Sequence, residues 1–190
     1  MTNDEINALV EKYFKAEGYQ FPKHFEHRFD EDSSAVLYSL IREYKPVSCL
    51  AIGTWLGGST CLMMEAFLKN KKPFVYVASE ILEGMRQNTL KNVFDKCGQT
   101  PIIIGDITKN IDKVPEELDF LFVDTDHDRE TTEWIVENIF PRVKKGGLVA
   151  IHDFAVEEID GKWVGKGDKG KGGLEETQCY MDMYEREEWP

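Results

Sequence analysis

The chain has 190 residues, 42% of them hydrophobic and 12% aromatic, enough apolar material for a packed core rather than a disordered tail. Lys and Arg number 23 against 35 Asp and Glu, a formal charge of −12. That balance disfavours the phosphate backbone of nucleic acid and an anionic membrane surface as partners, and the length predicts a single domain over residues 1–190.

Met1–Glu5 carries neither the basic start nor the apolar run of a signal peptide, and no apolar stretch approaches the roughly 20 residues of a membrane-spanning helix. Cys49, Cys61, Cys97 and Cys179 are widely spaced with no C-x-x-C pair. These features predict a cytoplasmic protein with reduced core or near-core thiols and no zinc site built from them.

In chain order, Thr2 and Glu5 form a capping-box pattern ahead of Ile6, Leu9, Val10, Tyr13 and Phe14, which fall on one helical face. Gly18 is the stop. Tyr19–Asp32 reads as a connector containing Pro22, His24 and His27. A second helix starts at Ser33 or Ser34, turns Leu37, Leu40, Ile41 and Tyr44 inward, and ends before Pro46. Residues 1–46 are thus N-terminal helices.

Residues 47–154 change in texture. Apolar runs at Val47–Ile52, Phe74–Ala78, Ile102–Ile104, Phe120–Val123 and Leu148–Ile151 alternate with helical lengths at Ser59–Asn70, Gly84–Lys96 and Arg129–Phe140. The Ile107–Leu118 gap has room for one helical turn. Near-continuous apolar strands separated by helices predict an α/β fold, a doubly wound, mostly parallel sheet covered on both faces. Residues 155–190 hold a hairpin signal at Asp160-Gly161 between Val156–Ile159 and Lys162–Val164, a Gly/Lys-rich loop to Gly173 and a last helix over Leu174–Glu187.

Ligands of such sheets bind beyond the carboxyl ends of the strands. There the chain places Gly53-Thr54-Trp55-Leu56-Gly57-Gly58-Ser59-Thr60, Glu80, Asp106, Asp124 and His152-Asp153. The first turn is glycine-rich and opens a helix, where free N–H groups and close backbone approach favour a ligand. It is not the dinucleotide pattern G-x-G-x-x-G, because Trp55 fills the second glycine position, and no Gly-Lys-Ser/Thr follows to make a phosphate loop. Glu80 lies 80 − 58 = 22 residues past Gly58, where a carboxylate can accept both hydroxyls of a ribose. Asp106, at the third strand end, could reach an adenine amino group. Taken singly, the plain alternative for each acid is an ordinary solvated side chain.

Taken together, Ala51 through Thr60, Ser79-Glu80, Gly105-Asp106, Phe122-Val123-Asp124-Thr125-Asp126-His127, and Lys145-Gly146-Gly147 through His152-Asp153-Phe154 resemble a class I S-adenosylmethionine-dependent methyltransferase. The resemblance is to the small O-methyltransferase branch with catechol-type and antibiotic- or sugar-modifying members, and spans Ser33 to Phe154. It implies that Gly53, Thr54, Trp55, Gly57, Gly58 and Ser59 hold the methionine part of the cofactor, that Glu80 binds the ribose and Asp106 the adenine, and that Asp124 also lines the cofactor site. Two positions depart from the family pattern. The acid expected two residues before the first glycine is Ala51, and the antiparallel strand pair that commonly ends the sheet is reduced to the short hairpin. A truncated sheet would leave an edge for the tail or a second copy, in a homodimer, to cover.

Asp124, Asp126, His127, His152 and Asp153 come from strand ends that neighbour each other in this fold. The resemblance implies that acids matching Asp124 and Asp153 ligate a divalent cation such as Mg²⁺, with His152 as a third candidate ligand, to lower the pKa of an acceptor hydroxyl. Without metal, His127 or His152 could act as general base. The expected activity is methyl transfer from S-adenosylmethionine to a hydroxyl of a small-molecule acceptor. N-methyl transfer and a non-catalytic cofactor-binding domain are the rivals, with a nicotinamide dehydrogenase further behind because of Trp55. Trp134, on a helix with Ile135 and Ile139, is expected in the core, and Trp55 beside the cofactor or acceptor.

Overall fold

The computed structural model describes residues 1–20, 31–125, 128–152, 156–159, 162–165 and 179–180, the hairpin strands by their backbone. Five parallel strands, β1 (Ser48–Ile52), β2 (Val75–Ser79), β3 (Ile102–Ile104), β4 (Leu118–Val123) and β5 (Val143–Ile151), form a sheet of order β3-β2-β1-β4-β5 flanked by helices. This is the doubly wound arrangement that the alternating texture predicts. The chain folds as two compact units, Met1–Val114 and Pro115–Pro190.

In the first unit, α1 (Asn3–Leu9) begins with the predicted capping box: Thr2 Oγ1 accepts the Glu5 N–H, and Glu5 accepts the Thr2 N–H. The helix widens into a π-turn over Val10–Lys15, and of its apolar face only Phe14 is fully buried. α2 (Glu31–Tyr44) already includes Glu31 and Asp32, ahead of the serines at which its start was expected. Its buried stripe is Ala35, Leu37, Tyr38 and Ile41, whereas Tyr44, expected inward, is 48% exposed as the last residue of the helix. α3 (Gly58–Lys69) has eight buried residues, and α4 (Glu83–Cys97) buries only Thr89 and Val93. The predicted Ile107–Leu118 gap holds two short 3-10 turns, Ile107–Lys109 and Ile111–Lys113.

In β1, Cys49, Leu50 and Ala51 are fully buried and Ile52 nearly so, as expected for a central parallel strand. Ala51 pairs with Ala78 of β2, so the position where the family carries an acid is a tight apolar contact between strands. β3 has three residues and leaves Ile102 58% exposed, a short edge that limits pairing with other chains.

In the second unit, β5 is longer than its apolar run. Leu118 pairs with Val143 but Phe120 with Leu148, so β5 carries three extra residues in a bulge around Gly146, at φ +80°, and Gly147. A Cβ at Gly147 would lie 2.8 Å from Val143 Cγ1 and 2.9 Å from the Lys144 carbonyl oxygen, which explains the glycine. The hydrophilic Lys144-Lys145 hides this part of the strand from a hydropathy reading. α5 (Arg129–Asn138) packs Ile135 inward, while Trp134, expected in the core, is half-buried. Val156–Ile159 and Lys162–Gly165 pair antiparallel as a separate two-stranded sheet, so among the described residues they do not extend the five-stranded sheet. Cys179 and Tyr180, inside the predicted last helix, are helical and buried, and the rest of that span lies outside the described residues. All four cysteines are free thiols, three buried and Cys97 half-buried. No helix among the described residues is long and apolar enough to cross a membrane.

Candidate functional site

The strand register builds the first part of the site. Ile52 pairs with Ser79 and Ser79 with Ile104, and the ladder continues one step through Gly53 N–H to Ser79 O at 2.9 Å and Glu80 N–H to Ile104 O at 3.1 Å. Gly53, Glu80 and Gly105-Asp106 therefore leave the sheet at one carboxyl edge. The chain then turns sharply: Gly53, Trp55 and Gly57 have φ of +85°, +47° and +90°. The Gly57 N–H closes the turn on Thr54 O at 2.7 Å, and the Gly57 carbonyl accepts the Cys61 N–H at 2.8 Å, so α3 starts at Gly58 with Gly58 and Ser59 in its first turn. Its first N–H groups face this end of the sheet, the donor array expected for an anionic or carboxylate group. A non-glycine residue at Trp55 in the left-handed region is uncommon and needs external support.

Glu80 gives that support. Its carboxylate is 7% exposed and accepts four bonds. Oε2 takes Trp55 N–H at 2.8 Å, Thr54 N–H at 3.2 Å and Thr54 Oγ1–H at 3.3 Å, and Oε1 takes Leu82 N–H at 3.0 Å. A buried carboxylate is tolerated when its lone pairs are filled in this way, and the same bonds fix the turn. The acid expected for a ribose also holds the glycine loop.

Two residues of α4 complete the brace and have no counterpart among the expected site residues. Thr89 Oγ1 donates to Trp55 O at 2.9 Å and sits 3.1 Å from Thr54 Oγ1, while Asn92 Nδ2 donates to Leu56 O at 2.9 Å. Their spacing of three places both on one helix face, the only sequence signal they gave. Gly57 packs against the same face: a Cβ there would meet Thr89 Cα at 3.1 Å. Trp55, Ile81 and Leu82 are 51%, 64% and 50% exposed, an apolar trio on the loops that follow β1 and β2.

Asp106 is tied to its own turn. Oδ1 accepts Thr108 N–H at 3.0 Å and Thr108 Oγ1–H at 2.7 Å, and Oδ2 pairs with Lys109 at 2.8 Å. Lys109 first, then Thr108, holds its carboxyl below the usual range. The side chain thus caps the 3-10 turn that follows β3.

In the second unit, Val123 pairs with Ile151 and the His152 N–H reaches Val123 O at 2.9 Å. This register brings Asp124 and His152 together: Nδ1 lies 3.2 Å from Asp124 Oδ1, with the side chains 10% and 30% exposed. Asp126, His127 and Asp153 lie outside the described residues, as do His24 and His27. Asp128 caps α5 by accepting the Thr131 N–H at 2.8 Å. Among the described residues no group of three or more His, Cys, Asp and Glu side chains could hold a metal ion, so the expected Asp124, His152 and Asp153 set is represented by two donors. Two donors do not make a divalent-ion site by themselves.

A β3-β2-β1-β4-β5 parallel sheet with a glycine turn after β1 and a buried acid after β2 is a doubly wound, Rossmann-like arrangement whose strand ends suit a nucleoside-type ligand. Known proteins agree. Residues 50–154 match the family model described as a methyltransferase domain, and the chain belongs to that family of S-adenosylmethionine-dependent methyltransferases. No curated protein matches. Among solved structures, the fold is similar to the O-methyltransferase from Bacillus cereus in complex with SAH, at 15% identity and TM-score 0.60, over 98% of this chain and 79% of that one. The O-methyltransferase TomG from Streptomyces achromogenes, involved in tomaymycin synthesis and solved with SAM, is similar at 12% identity and TM-score 0.58, over 96% and 78%. The SAH-bound Podospora anserina methyltransferase PaMTH1 has 18% identity and TM-score 0.57 over 77% of this chain, and this chain spans 62% of its length.

Proposed function

We propose that the protein transfers the methyl group of S-adenosylmethionine to a hydroxyl of a small-molecule acceptor. The observation that carries this reading is Glu80: a buried carboxylate at the end of β2, bonded to the backbone of the glycine turn, where a ribose would be held. Thr54, Trp55 and Gly57 shape that turn, and Gly58 and Ser59 present the first N–H groups of α3 to the amino-acid end of the cofactor. Asp106 would reach the adenine with its remaining acceptor capacity.

Bound S-adenosylmethionine supplies an activated methyl group on a cationic sulfur. An alcohol is a poor nucleophile near neutral pH, so a residue must take its proton as the methyl moves. Asp124 and His152 suit that role. With Nδ1–H donating to Asp124, Nε2 of His152 is the basic nitrogen, and the carboxylate stabilises the imidazolium formed when it accepts the hydroxyl proton. His127 is a further base candidate. The second reading, metal assistance through Asp124, His152 and Asp153, is favoured by the partly exposed Asp124 carboxylate at the strand end.

Calorimetry with S-adenosylmethionine and S-adenosylhomocysteine tests the cofactor assignment, and no binding by either overturns it. Product analysis over alcohol, phenol and amine acceptors separates O- from N-methyl transfer. Tight cofactor binding without turnover across the panel would instead favour a non-catalytic binding domain.

A further inference from the structure

A carboxylate offers about four lone-pair directions, two on each oxygen. On Glu80 the four bonds found are unevenly shared. Three crowd Oε2, from Thr54 N–H, Trp55 N–H and Thr54 Oγ1–H, and one reaches Oε1 from Leu82 N–H. A ribose diol brings two more donors. One fits the second lone pair of Oε1, and the other must take the place of one of the three donors already crowded on Oε2.

The two backbone donors cannot leave Oε2 without unwinding a turn that holds Trp55 at φ +47°. The Thr54 hydroxyl can, because it is a rotor and its 3.3 Å bond is the longest of the three. It then needs another acceptor, since Thr54 is 3% exposed and a buried hydroxyl without a partner is costly. Thr89 Oγ1 is 3.1 Å away and fully buried. Its own proton is committed to Trp55 O at 2.9 Å, so it turns lone pairs rather than a proton toward Thr54.

We propose that the Thr54–Thr89 hydroxyl pair is a hydrogen-bond exchanger: when a cis-diol docks on Glu80, the Thr54 proton swings from Glu80 Oε2 to Thr89 Oγ1, and the diol takes the vacated position. No covalent bond changes and no proton changes owner; one O–H vector rotates. Thr89 is thereby a positioning residue for the cofactor ribose that never touches it. The inference rests on the reading of Glu80 as the ribose acceptor.

The test compares the affinity of the full chain for S-adenosylhomocysteine and for its 2′,3′-dideoxy analogue, in the wild type, Thr89→Val and Thr89→Ser. Thr89→Val keeps the shape and removes the acceptor. Any loosening of the loop weakens both ligands alike and cancels in their ratio. The wild type is expected to prefer the diol ligand, Thr89→Val to shrink that preference about fivefold, the weight of one neutral hydrogen bond, and Thr89→Ser to restore it. An unchanged preference in Thr89→Val overturns the exchanger while leaving Glu80 as the ribose acceptor. A wild type that does not distinguish the two ligands overturns the ribose reading and the exchanger with it. If Thr89→Val does not fold, Thr89→Ala is read by the same ratio.

Discussion

The Trp55 N–H donates to Oε2 of Glu80 at 2.8 Å, joining residues 25 positions apart in a bond that is both architecture and site. The carboxylate that the cofactor reading needs is the one that holds the glycine turn in its left-handed path. Removing it should therefore act on stability and affinity together. Glu80→Ala leaves four donors, three of them in the glycine turn, without their acceptor, and we expect a loss of about 2–4 kcal/mol in stability together with loss of measurable cofactor binding. Glu80→Gln keeps the shape and should lose less stability than Glu80→Ala. Thermal melts and calorimetry on the two variants check this, and an unchanged melt in Glu80→Ala would break the link.

Gly57 offers an independent probe of the same turn. Its φ of +90° and the 3.1 Å approach to Thr89 Cα both resist a side chain. Gly57→Ala is expected to cost about 1–3 kcal/mol, a fall of several degrees in Tm for a chain of this size, and to weaken cofactor binding because α3 starts from this residue. Gly84 in α4 has open space where a Cβ would sit, so Gly84→Ala is the neutral control.

Most of the sheet was legible because central strands advertise themselves: Cys49–Ile52 and Phe120–Val123 are continuous apolar runs and are buried as such. β5 was half legible, since its first residues are polar and a three-residue bulge interrupts the pairing. The candidate site divides in the same way. Glu80 and the glycine turn follow from position at strand ends, which a sequence reveals. Thr89 and Asn92 act through α4, and a threonine and an asparagine on a mostly exposed helix look like solvated surface until the loop is folded against them. Asp106 follows β3 as its position predicts, and the capping of its own turn through Thr108 and Lys109 is a second role that the strand-end position does not reveal.

The Asp124–His152 pair predicts how turnover divides from binding. His152→Gln is expected to lower kcat by about 10²–10⁴-fold, the usual weight of a positioned general base, with affinity for S-adenosylhomocysteine unchanged within about threefold. Asp124→Asn should also lower kcat, by releasing the imidazole from its 3.2 Å contact. Steady-state kinetics beside calorimetry separates the two effects, and full activity in His152→Gln would remove the base assignment.

Chelation discriminates the two catalytic readings. Under the base reading, dialysis against EDTA leaves kcat unchanged; under the metal reading activity falls and Mg²⁺ restores it, with cofactor affinity little affected. Asp153→Ala sharpens the outcome, since that acid is a ligand in the metal reading and has no role in the base reading.

Acid stability should be governed by a carboxylate far from the strand ends. Glu17 accepts Arg42 Nη2 at 2.7 Å, Tyr38 Oη at 2.6 Å and Lys69 Nζ at 3.1 Å, tying the N-terminal segment to α2 and α3. Partial burial pushes its pKa up, but the bonds from Arg42, Tyr38 and Lys69 outweigh that and bring it from 4.5 to about 2. A carboxyl depressed in the folded state binds its proton more readily when unfolded, so its contribution is fully present above about 4.5 and is lost as pH falls toward about 2. The depression corresponds to on the order of 3 kcal/mol at neutral pH. Glu17→Gln is therefore expected to lower stability near pH 7 and to flatten the fall between those two pH values, because the group that titrates there is gone. Urea unfolding of both proteins at pH 7, 4.5 and 3 measures the difference, and parallel acid limbs in wild type and Glu17→Gln would assign the acid sensitivity to other carboxylates.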